Sequence, residues 1–114
     1  MPASGAERIT RYADMFAAIG SEHRLRIIQL LLAAHPGGLV AGEIQSKLGV
    51  TAPNLSHHLE KLKNERLIDV AREGNFLRYR ANTDALQELV AFLLAECYSR
   101  NRVIKPAKFI QLCR

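Results

Sequence analysis

Side chains able to bind phosphate or the edges of bases are concentrated between residues 51 and 63. In chain order they are Asn54, Ser56, His57, Lys61 and Lys63. Asparagine can pair bidentately with adenine in the major groove of DNA, and lysine neutralises backbone phosphate. Exposed N–H groups and the positive dipole end of a helix N-terminus also favour phosphate. We therefore predict that this stretch contacts double-stranded DNA.

Four histidines could bind a metal ion or titrate, but their spacing does not form a ligand set. His57 and His58 are adjacent, and adjacent residues on a helix point about 100° apart, so they cannot chelate one metal ion together. We predict that His57 faces outward as a DNA contact and that His58 is packed and hydrogen-bonded. His23 and His35 have no partner at ligand spacing and are predicted to be structural or surface residues.

Enzyme signatures are absent from the sequence, which has no nucleophile elbow, P-loop, HExxH or CxxC pair. We therefore assign no catalytic residue, no obligatory cofactor and no enzyme activity. No apolar run approaches the roughly 20 residues needed to span a bilayer. The N-terminus also lacks a cationic segment followed by an apolar one. We expect a cytoplasmic protein without a membrane partner, in which both cysteines are reduced.

The net charge of +5 does not by itself establish nucleic-acid binding, because of where the charge lies. Five of the 16 basic residues and none of the 11 acidic ones lie between residues 98 and 114. The 11 basic residues of the remaining chain balance its 11 acidic residues. We therefore infer DNA binding from the local pattern of residues.

Two amphipathic helices are predicted ahead of the polar stretch. The first runs from about residue 5 to residue 19, and Gly20 ends it. Ser21 is a good N-cap for the second helix, which ends before Pro36. The second helix is the most apolar of the first half of the chain, so we expect it to lie at the centre of the core. Its predicted buried face consists of Leu25, Ile28, Leu31 and Leu32, with Ile27 beside them.

Residues 40–67 are predicted to form two short helices joined by a tight turn at Gly49. Ile44 and Leu48 of the first helix face inward. Thr51 caps the second helix, and Pro53 is tolerated in its first turn. An apolar stripe at positions i, i+4 and i+7 is predicted to be buried, and it consists of Leu55, Leu59 and Leu62. This arrangement is typical of a helix-turn-helix whose second helix lies in the major groove.

The period of the pattern changes to two after residue 67, which predicts a β-hairpin around a Gly-Asn turn. Its basic side is predicted to carry Arg72, Arg78 and Arg80. A last helix begins near residue 82 or 83 and runs to about residue 99. Its apolar stripe is Leu86, Leu89, Val90, Leu93 and Cys97.

The predicted order is helix, helix, helix-turn-helix, hairpin, helix, which is a mainly α fold with a small β-hairpin. The chain resembles the ArsR/SmtB family of winged helix-turn-helix repressors in the stretches AIGSEHRLRIIQLLL, LSHHLEKLKNERLI and EGNFLRYR. The resemblance covers roughly residues 10–97. It implies a homodimer formed through the first and last helices, which binds an operator and leaves it when an inducer binds. We divide the chain into a DNA-binding and dimerisation domain, residues 1–100, and a basic tail, residues 101–114.

Pattern and resemblance together predict DNA contacts on the second helix of the helix-turn-helix and on the hairpin. The predicted contacts are Thr51, Pro53, Asn54, Ser56, His57, Lys61, Lys63, Arg72, Asn75 and Arg78. Those near the start of the helix are expected to read base edges in the major groove. The lysines and hairpin arginines are expected to neutralise phosphate, which gives affinity and salt dependence rather than sequence choice.

The two inducer sites best known in the family are missing from this sequence. Arsenic repressors of the family carry two cysteines before the turn, in a stretch like ELCVCDL, where this chain has GLVAGEI. Zinc sensors of the family carry Asp-x-His and later ligands on the last helix. Here Leu86 follows Asp84 at the histidine position, and no histidine occurs after His58.

Cys97 and Cys113 are the remaining candidates for an inducer site. Some family members bind arsenite through cysteines around the end of the last helix, so we predict a thiol site for trivalent arsenic. Two thiolates suit a monosubstituted organoarsenical, or arsenite with a ligand from the other subunit. Redox sensing through a disulfide and sensing of another soft metal are alternatives. A further alternative is that Cys97 is only a packed interface residue, because free cysteine packs well.

A winged helix used for protein docking, with the tail as the partner-binding segment, is the competing class of function. This alternative predicts that the isolated chain shows no salt-dependent binding to DNA.

Overall fold

The computed structural model describes residues 5–100, without the side chains of residues 96 and 98–100. Its elements are α1 (Gly5–Ile19), α2 (Glu22–Ala33), β1 (Leu39–Val40), α3 (Ala41–Leu48), α4 (Ala52–Asn64), β2 (Ile68–Glu73), β3 (Phe76–Ala81) and α5 (Thr83–Arg100). The predicted mainly α fold is confirmed. Within the described part, no helix is long and apolar enough to cross a membrane. The predicted tail, including Cys113, lies outside the described residues.

The helix boundaries follow from local capping chemistry. Ser21 accepts a hydrogen bond from the backbone N–H of Arg24 at the start of α2, and Thr51 accepts one from that of Asn54 at the start of α4. Glu43 accepts a hydrogen bond from the backbone N–H of Val40 at 2.9 Å, which satisfies a donor at the start of α3.

Asn82 joins the sheet to the last helix. Its side-chain oxygen accepts a hydrogen bond from the backbone N–H of Ala85 at 3.2 Å, which caps α5. Its side-chain amide donates to the backbone carbonyl of Arg66 at 2.8 Å. Arg66 has a φ of 58°, an unusual conformation for a residue other than glycine. The Asn82 contact therefore fixes both ends of the segment that contains the hairpin.

Helix α2 lies at the centre of the core, as predicted. It contacts α1, α3, α4 and β3. The largest fully buried side chains come from α1, α2, α3, α4, β2 and the residue before β2, and they are Met15, Ile27, Leu31, Ile44, Leu62, Leu67 and Ile68. Burying each such side chain contributes about 1.5–3 kcal/mol. Ala85 and Leu89 of α5 belong to the same buried cluster, so the core holds all five helices and the sheet together.

The predicted buried face of α2 is partly wrong. Ile27, Ile28 and Leu31 are buried, but Leu25 is 48% exposed and Leu32 is 43% exposed. Leu25 and Leu32 are seven residues apart, so they lie on one side of the helix, away from Ile27 and Leu31. The sequence could not separate these two sides because both are apolar.

The sheet has three antiparallel strands in the order β1-β3-β2 rather than the two of the predicted hairpin. Strand β1 pairs with β3, with Leu39 opposite Tyr79 and Val40 opposite Arg78. Because β1 is only two residues long, it carries too little periodicity to be predicted from sequence. It links the start of α3 to the hairpin.

Three glycines, Gly38, Gly49 and Gly74, adopt left-handed backbone conformations, and the first two have different surroundings. Gly49 has a φ of 72° and ends α3, where it donates a hydrogen bond to the carbonyl of Gln45. Gly38 has a φ of 77°, and a Cβ built there would lie 2.3 Å from the carbonyl oxygen of Tyr79. A Cβ at Gly49 would have nothing within 4 Å. Only Gly38 therefore combines a strained φ with a steric limit.

These surroundings predict different costs for the same substitution at the two glycines. Gly49→Ala should lower the free energy of unfolding by about 1–2 kcal/mol, because alanine resists the left-handed region. Gly38→Ala should lower it by about 3 kcal/mol or more, because the clash with the backbone adds to that strain. Urea denaturation followed by circular dichroism measures both. Equal losses for the two variants would contradict the close approach of Gly38 to β3.

Candidate nucleic-acid interface

Helix α4 has one buried side and one exposed side. Leu55, Leu59 and Leu62 are 3%, 4% and 0% exposed, so the predicted buried stripe is confirmed. The predicted contacts on the rest of the helix are all exposed, and they are Pro53, Asn54, Ser56, His57, Lys61 and Lys63. Packing of the leucines therefore leaves this whole set of side chains open to solvent. Their contact with DNA stays a prediction.

The predicted contact Thr51 serves two purposes at the start of α4. Its hydroxyl oxygen accepts a hydrogen bond from the backbone N–H of Asn54 at 3.3 Å. A threonine hydroxyl has one donor and two acceptor positions, so its hydrogen is still available to a phosphate oxygen. Pro53 lacks an N–H and is accommodated in the first turn.

The two lysines of α4 differ in their surroundings. Lys63 lies 3.9 Å from Glu60, with both side chains about half exposed or more. Such an exposed pair is weak, at about 0–1 kcal/mol, so it would not prevent Lys63 from reaching a phosphate. Lys61 is exposed and has no ion-pair partner among the described side chains. Of the two lysines, Lys61 is therefore the one whose charge is not paired with a carboxylate of the described residues.

His58 is half-buried and hydrogen-bonded, as predicted. Its Nδ1 lies 3.3 Å from the NH1 group of Arg24, and the Arg24 Nε–H donates to the carbonyl of Ala18 in α1. Burial, followed by the positive charge of Arg24, lowers the pKa of His58 below its ordinary value of 6.5. The neighbours His23, His57 and Lys61 lower this pKa further.

A histidine cluster forms here that the sequence pattern did not predict. The rings of His23 and His58 lie 5.3 Å apart between centroids, and those of His57 and His58 lie 6.0 Å apart. His23 and His58 are separated by 35 positions in the chain, so no local spacing could have indicated their proximity. His57 faces outward, as predicted.

The predicted basic side of the hairpin is wrong in one respect. We call β2, β3 and the turn between them the wing. Glu73 lies opposite Phe76, Ala71 opposite Arg78, and Arg72 opposite Leu77. Because opposite residues share a face and faces alternate, Arg72 lies on the other face from Arg78 and Arg80. The two-residue turn at Gly74 and Asn75 sets this register.

Glu73 neutralises part of the charge on the wing. It accepts a hydrogen bond from Arg78 Nε at 2.8 Å and lies 3.7 Å from Arg80 NH2. The hydrogen bond from Arg78 lowers the pKa of Glu73, and the same bond raises the pKa of Arg78. Arg78 also donates to the carbonyl of Gly38 at 3.4 Å. The guanidinium of the predicted contact Arg78 is therefore already hydrogen-bonded within the protein.

The other two predicted wing contacts are open. Arg72 is exposed and has no ion-pair partner among the described side chains. Asn75 is exposed at the tip of the turn, next to Gly74, which has a φ of 61°. These two side chains give the wing a polar tip and one free cation.

The predicted thiol site is only partly described. Cys97 is a half-buried free cysteine on α5. No group of three or more His, Cys, Asp or Glu side chains within the described residues could hold a metal ion. Additional ligands for a site at Cys97 would have to come from Cys113, from another chain or from the arsenical itself.

Helices α1 and α5 expose large apolar side chains. Ile9 is 58% exposed and Phe16 is 37% exposed on α1, and Leu93 is 60% exposed on α5. Tyr12 and Phe92 stack with ring centroids 4.3 Å apart, which joins the two helices. Helices α1 and α5 therefore contact each other, and both expose large apolar side chains to solvent.

Comparison with known proteins identifies the family of regulators. A family model described as a helix-turn-helix domain matches residues 19–71. The chain is 35% identical over 81 residues to the transcriptional repressor SdpR of Bacillus subtilis, a match that covers 71% of this chain and 87% of SdpR. It is 31% identical over 84 residues to an HTH-type transcriptional regulator of Methanocaldococcus jannaschii, covering 74% of this chain and 92% of that protein.

Solved structures share the whole architecture. An ArsR-like transcriptional regulator from Rhodococcus sp. RHA1 matches with a TM-score of 0.71 at 24% identity, covering 84% of this chain and 88% of that one. The homodimeric winged helix-turn-helix DNA-binding domain of Mb0332 from Mycobacterium bovis matches with a TM-score of 0.67 at 21% identity, covering 92% and 96%. At these identities, the two likenesses show the fold.

Proposed function

The chain belongs to the ArsR-like family of winged helix-turn-helix transcriptional regulators, and from this premise we propose that it is a homodimeric repressor. The dimer binds an operator in double-stranded DNA and leaves it when a thiol-reactive inducer binds. Its relatives are DNA-binding transcriptional regulators and not enzymes, which agrees with the absence of catalytic motifs from the sequence. The relative SdpR is itself named a transcriptional repressor.

The observation that carries the DNA-binding proposal is the exposed polar side of α4, opposite its buried leucines. In the proposed complex this side enters the major groove. Asn54 and Ser56 hydrogen-bond base edges, and His57 lies beside them. Lys61 and Lys63 neutralise phosphates along the groove, and the Thr51 hydroxyl binds a phosphate at the start of the helix.

The wing supplies further phosphate contacts in this proposal. Arg72 contributes a free charge, and Asn75 at the tip can donate a hydrogen bond from its side-chain amide. Arg78 contributes less than Arg72, because part of its charge is neutralised by Glu73. The wing therefore adds affinity and salt dependence more than sequence choice.

The exposed apolar residues of α1 and α5 support the proposed dimer seam. A second copy of the chain would cover Ile9, Phe16 and Leu93, whose exposure is otherwise unfavourable. The solved structure of Mb0332 is described as homodimeric, which supports the same assembly here. In such a dimer the two copies of α4, which we call the recognition helices, must meet half-sites one helical turn apart, roughly 34–36 Å.

The proposed inducer site consists of Cys97 and Cys113, with trivalent arsenic as the inducer. Each As–OH group exchanges with a thiol, so that an As–S bond forms and one water leaves. A monosubstituted organoarsenical would use two thiols, and arsenite would take a third ligand from the other subunit. Binding at Cys97 would draw the tail onto α5 and change the angle between the recognition helices, which would weaken DNA binding.

Two alternatives remain for the site and one for the whole protein. Hydrogen peroxide could oxidise the two thiols to a disulfide, with two waters as the other product. Another soft metal could bind the same thiolates. For the whole protein, the alternative is a winged helix that docks a protein partner.

The DNA-binding proposal predicts distinct effects of two substitutions on α4. Asn54→Ala should weaken binding to a duplex taken from the DNA upstream of the coding sequence by about 5- to 150-fold, because a bidentate base contact contributes about 1–3 kcal/mol. Lys61→Gln should weaken binding to all sequences and reduce the slope of log affinity against log salt by about 1. Gel shifts at about 50 and about 200 mM salt measure both effects.

Arg26→Gln is the matched control for this experiment. It removes one positive charge from an exposed side chain of α2 that is paired with Glu22. Its salt slope should equal that of the wild type. If wild-type protein shows no salt-dependent binding to the duplex, the protein-docking alternative replaces the repressor.

The dimer seam predicts that Leu93→Glu produces monomers. The substitution places a charge at a side chain that is 60% exposed in one chain, so the fold of the monomer should persist. In the dimer the same charge would be buried without a partner, which is unfavourable. Light scattering coupled to size exclusion measures the mass. Leu25→Glu, at a leucine of α2 that is 48% exposed, is the matched control and should remain dimeric. A monomeric wild type would exclude the seam.

The thiol site predicts that inducers lose their effect in cysteine variants. Wild-type protein should release DNA on addition of methylarsenite or arsenite, and the Cys97→Ser, Cys113→Ser double variant should bind DNA equally well but fail to release it. Gel shifts with each arsenical and with peroxide measure this. Release by peroxide alone would favour a redox sensor. Release of the double variant by arsenicals would contradict thiol sensing.

A further inference from the structure

Arg24 lies in the first turn of α2, and its side chain contacts both α1 and α4. Its backbone N–H donates a hydrogen bond to the hydroxyl oxygen of Ser21, the N-cap of α2. Its Nε–H donates to the carbonyl of Ala18, and its NH1 group lies 3.3 Å from Nδ1 of His58 on α4. The last carbonyls of a helix lack partners within the helix, and a cation there is favourable. The guanidinium of Arg24 therefore gives a carbonyl at the end of α1 a hydrogen-bond partner and also contacts α4, the proposed recognition helix.

The bond between Arg24 and His58 requires a neutral imidazole. A guanidinium has only donors and stays protonated in proteins, so Nδ1 of His58 must be the acceptor. The ring hydrogen of His58 is then on Nε2. A second proton could be added only at Nδ1, where it would point at the Arg24 donor. Protonation would thus turn an attractive contact into a repulsion between two cations.

The groups around His58 oppose its protonation. On α2 they are His23 and Arg24, and on α4 they are His57 and Lys61. Two carboxylates on this side, Asp14 and Glu65, line a cleft of 280 Å³ that Arg24 and Lys61 also line. Burial and the adjacent Arg24 lower the pKa of His58 below its ordinary value of 6.5. The bond therefore persists at neutral pH and is lost as pH falls through the lowered pKa, which lies below 6.5.

We propose that Arg24 is a positioning residue that ties the recognition helix α4 to the end of α1 only while His58 is neutral, so that mildly acidic pH weakens DNA binding. Helix α1 carries the exposed side chains of the proposed dimer seam. The bond through Arg24 thus connects the seam to the helix that enters the groove. Loss of this bond would leave the distance between the α4 helices of the two subunits less well fixed. This inference rests on the proposed DNA binding through α4.

The test is a pH profile of DNA affinity for wild type and variants. Wild-type affinity should fall by about tenfold or more between about pH 7.5 and a pH below the protonation step of His58, which an NMR titration of its ring signals locates, since a hydrogen bond to a charged group is lost. His58→Asn supplies a neutral acceptor near the position of Nδ1. It should bind as wild type at the higher pH and show a flat profile. Arg24→Gln should bind weakly at both pH values.

Two further measurements distinguish the positioning role from other effects of pH. His35→Asn removes an exposed histidine outside the cluster and should keep the wild-type profile. In ¹H–¹⁵N spectra without DNA, the signal of the Arg24 NH1 group should be protected near pH 7.5 and should exchange below the protonation step of His58 in wild type, but should stay protected in His58→Asn.

The outcomes separate this inference from the proposed function. If the Arg24 signal responds as described but no variant binds DNA at any pH, the bond exists and the repressor proposal fails. If wild type binds DNA with a flat pH profile, or binds more tightly at acidic pH, the positioning role of Arg24 is overturned.

Discussion

Burial of one side of α4 is the constraint on which the rest of the molecule depends. Leu55, Leu59 and Leu62 are almost completely buried, and α4 contacts α1, α2 and β2. Each leucine contributes about 1.5–3 kcal/mol when buried. A rotation of α4 by one residue, about 100°, would expose this stripe and bury polar side chains without partners. The orientation of the polar side of α4 is therefore fixed by packing.

Polar links then fix what apolar packing leaves adjustable. Leucine contacts are not directional and tolerate small shifts and tilts, whereas hydrogen bonds need a defined distance and angle. Arg24 holds the end of α1, the start of α2 and His58 of α4 at one point. Asn82 holds the start of α5 against the segment after α4. Both links join elements that carry the proposed DNA contacts to elements that carry the proposed dimer seam.

This arrangement gives a proposed signal a short path through the protein. An inducer at Cys97 would act first on α5, which contacts α1 through the stacked rings of Tyr12 and Phe92. From α1, the contact through Arg24 leads to α4. Because each step depends on direct contact, a small change at the end of α5 can alter the position of the recognition helix. The proposed inducer site and the proposed DNA surface therefore need not share any residue.

The amino-acid sequence by itself determined the features that depend on near neighbours in the chain. Helix boundaries follow from caps such as Ser21 and Thr51, and the exposed side of α4 follows from its leucine spacing. The turn at Gly49 follows from glycine's freedom at positive φ. Family resemblance added the order of the elements and the expectation of a dimer.

Only the tertiary structure decided which distant groups meet. It placed His23 beside His58, added the short strand β1, and exposed Leu25 on an apolar helix whose two sides look alike in sequence. It also put Arg72 on the opposite face of the wing from Arg78, because a two-residue turn fixes which residues face each other. Periodicity specifies which residues of one element lie together, but the partner of each face depends on packing among all elements.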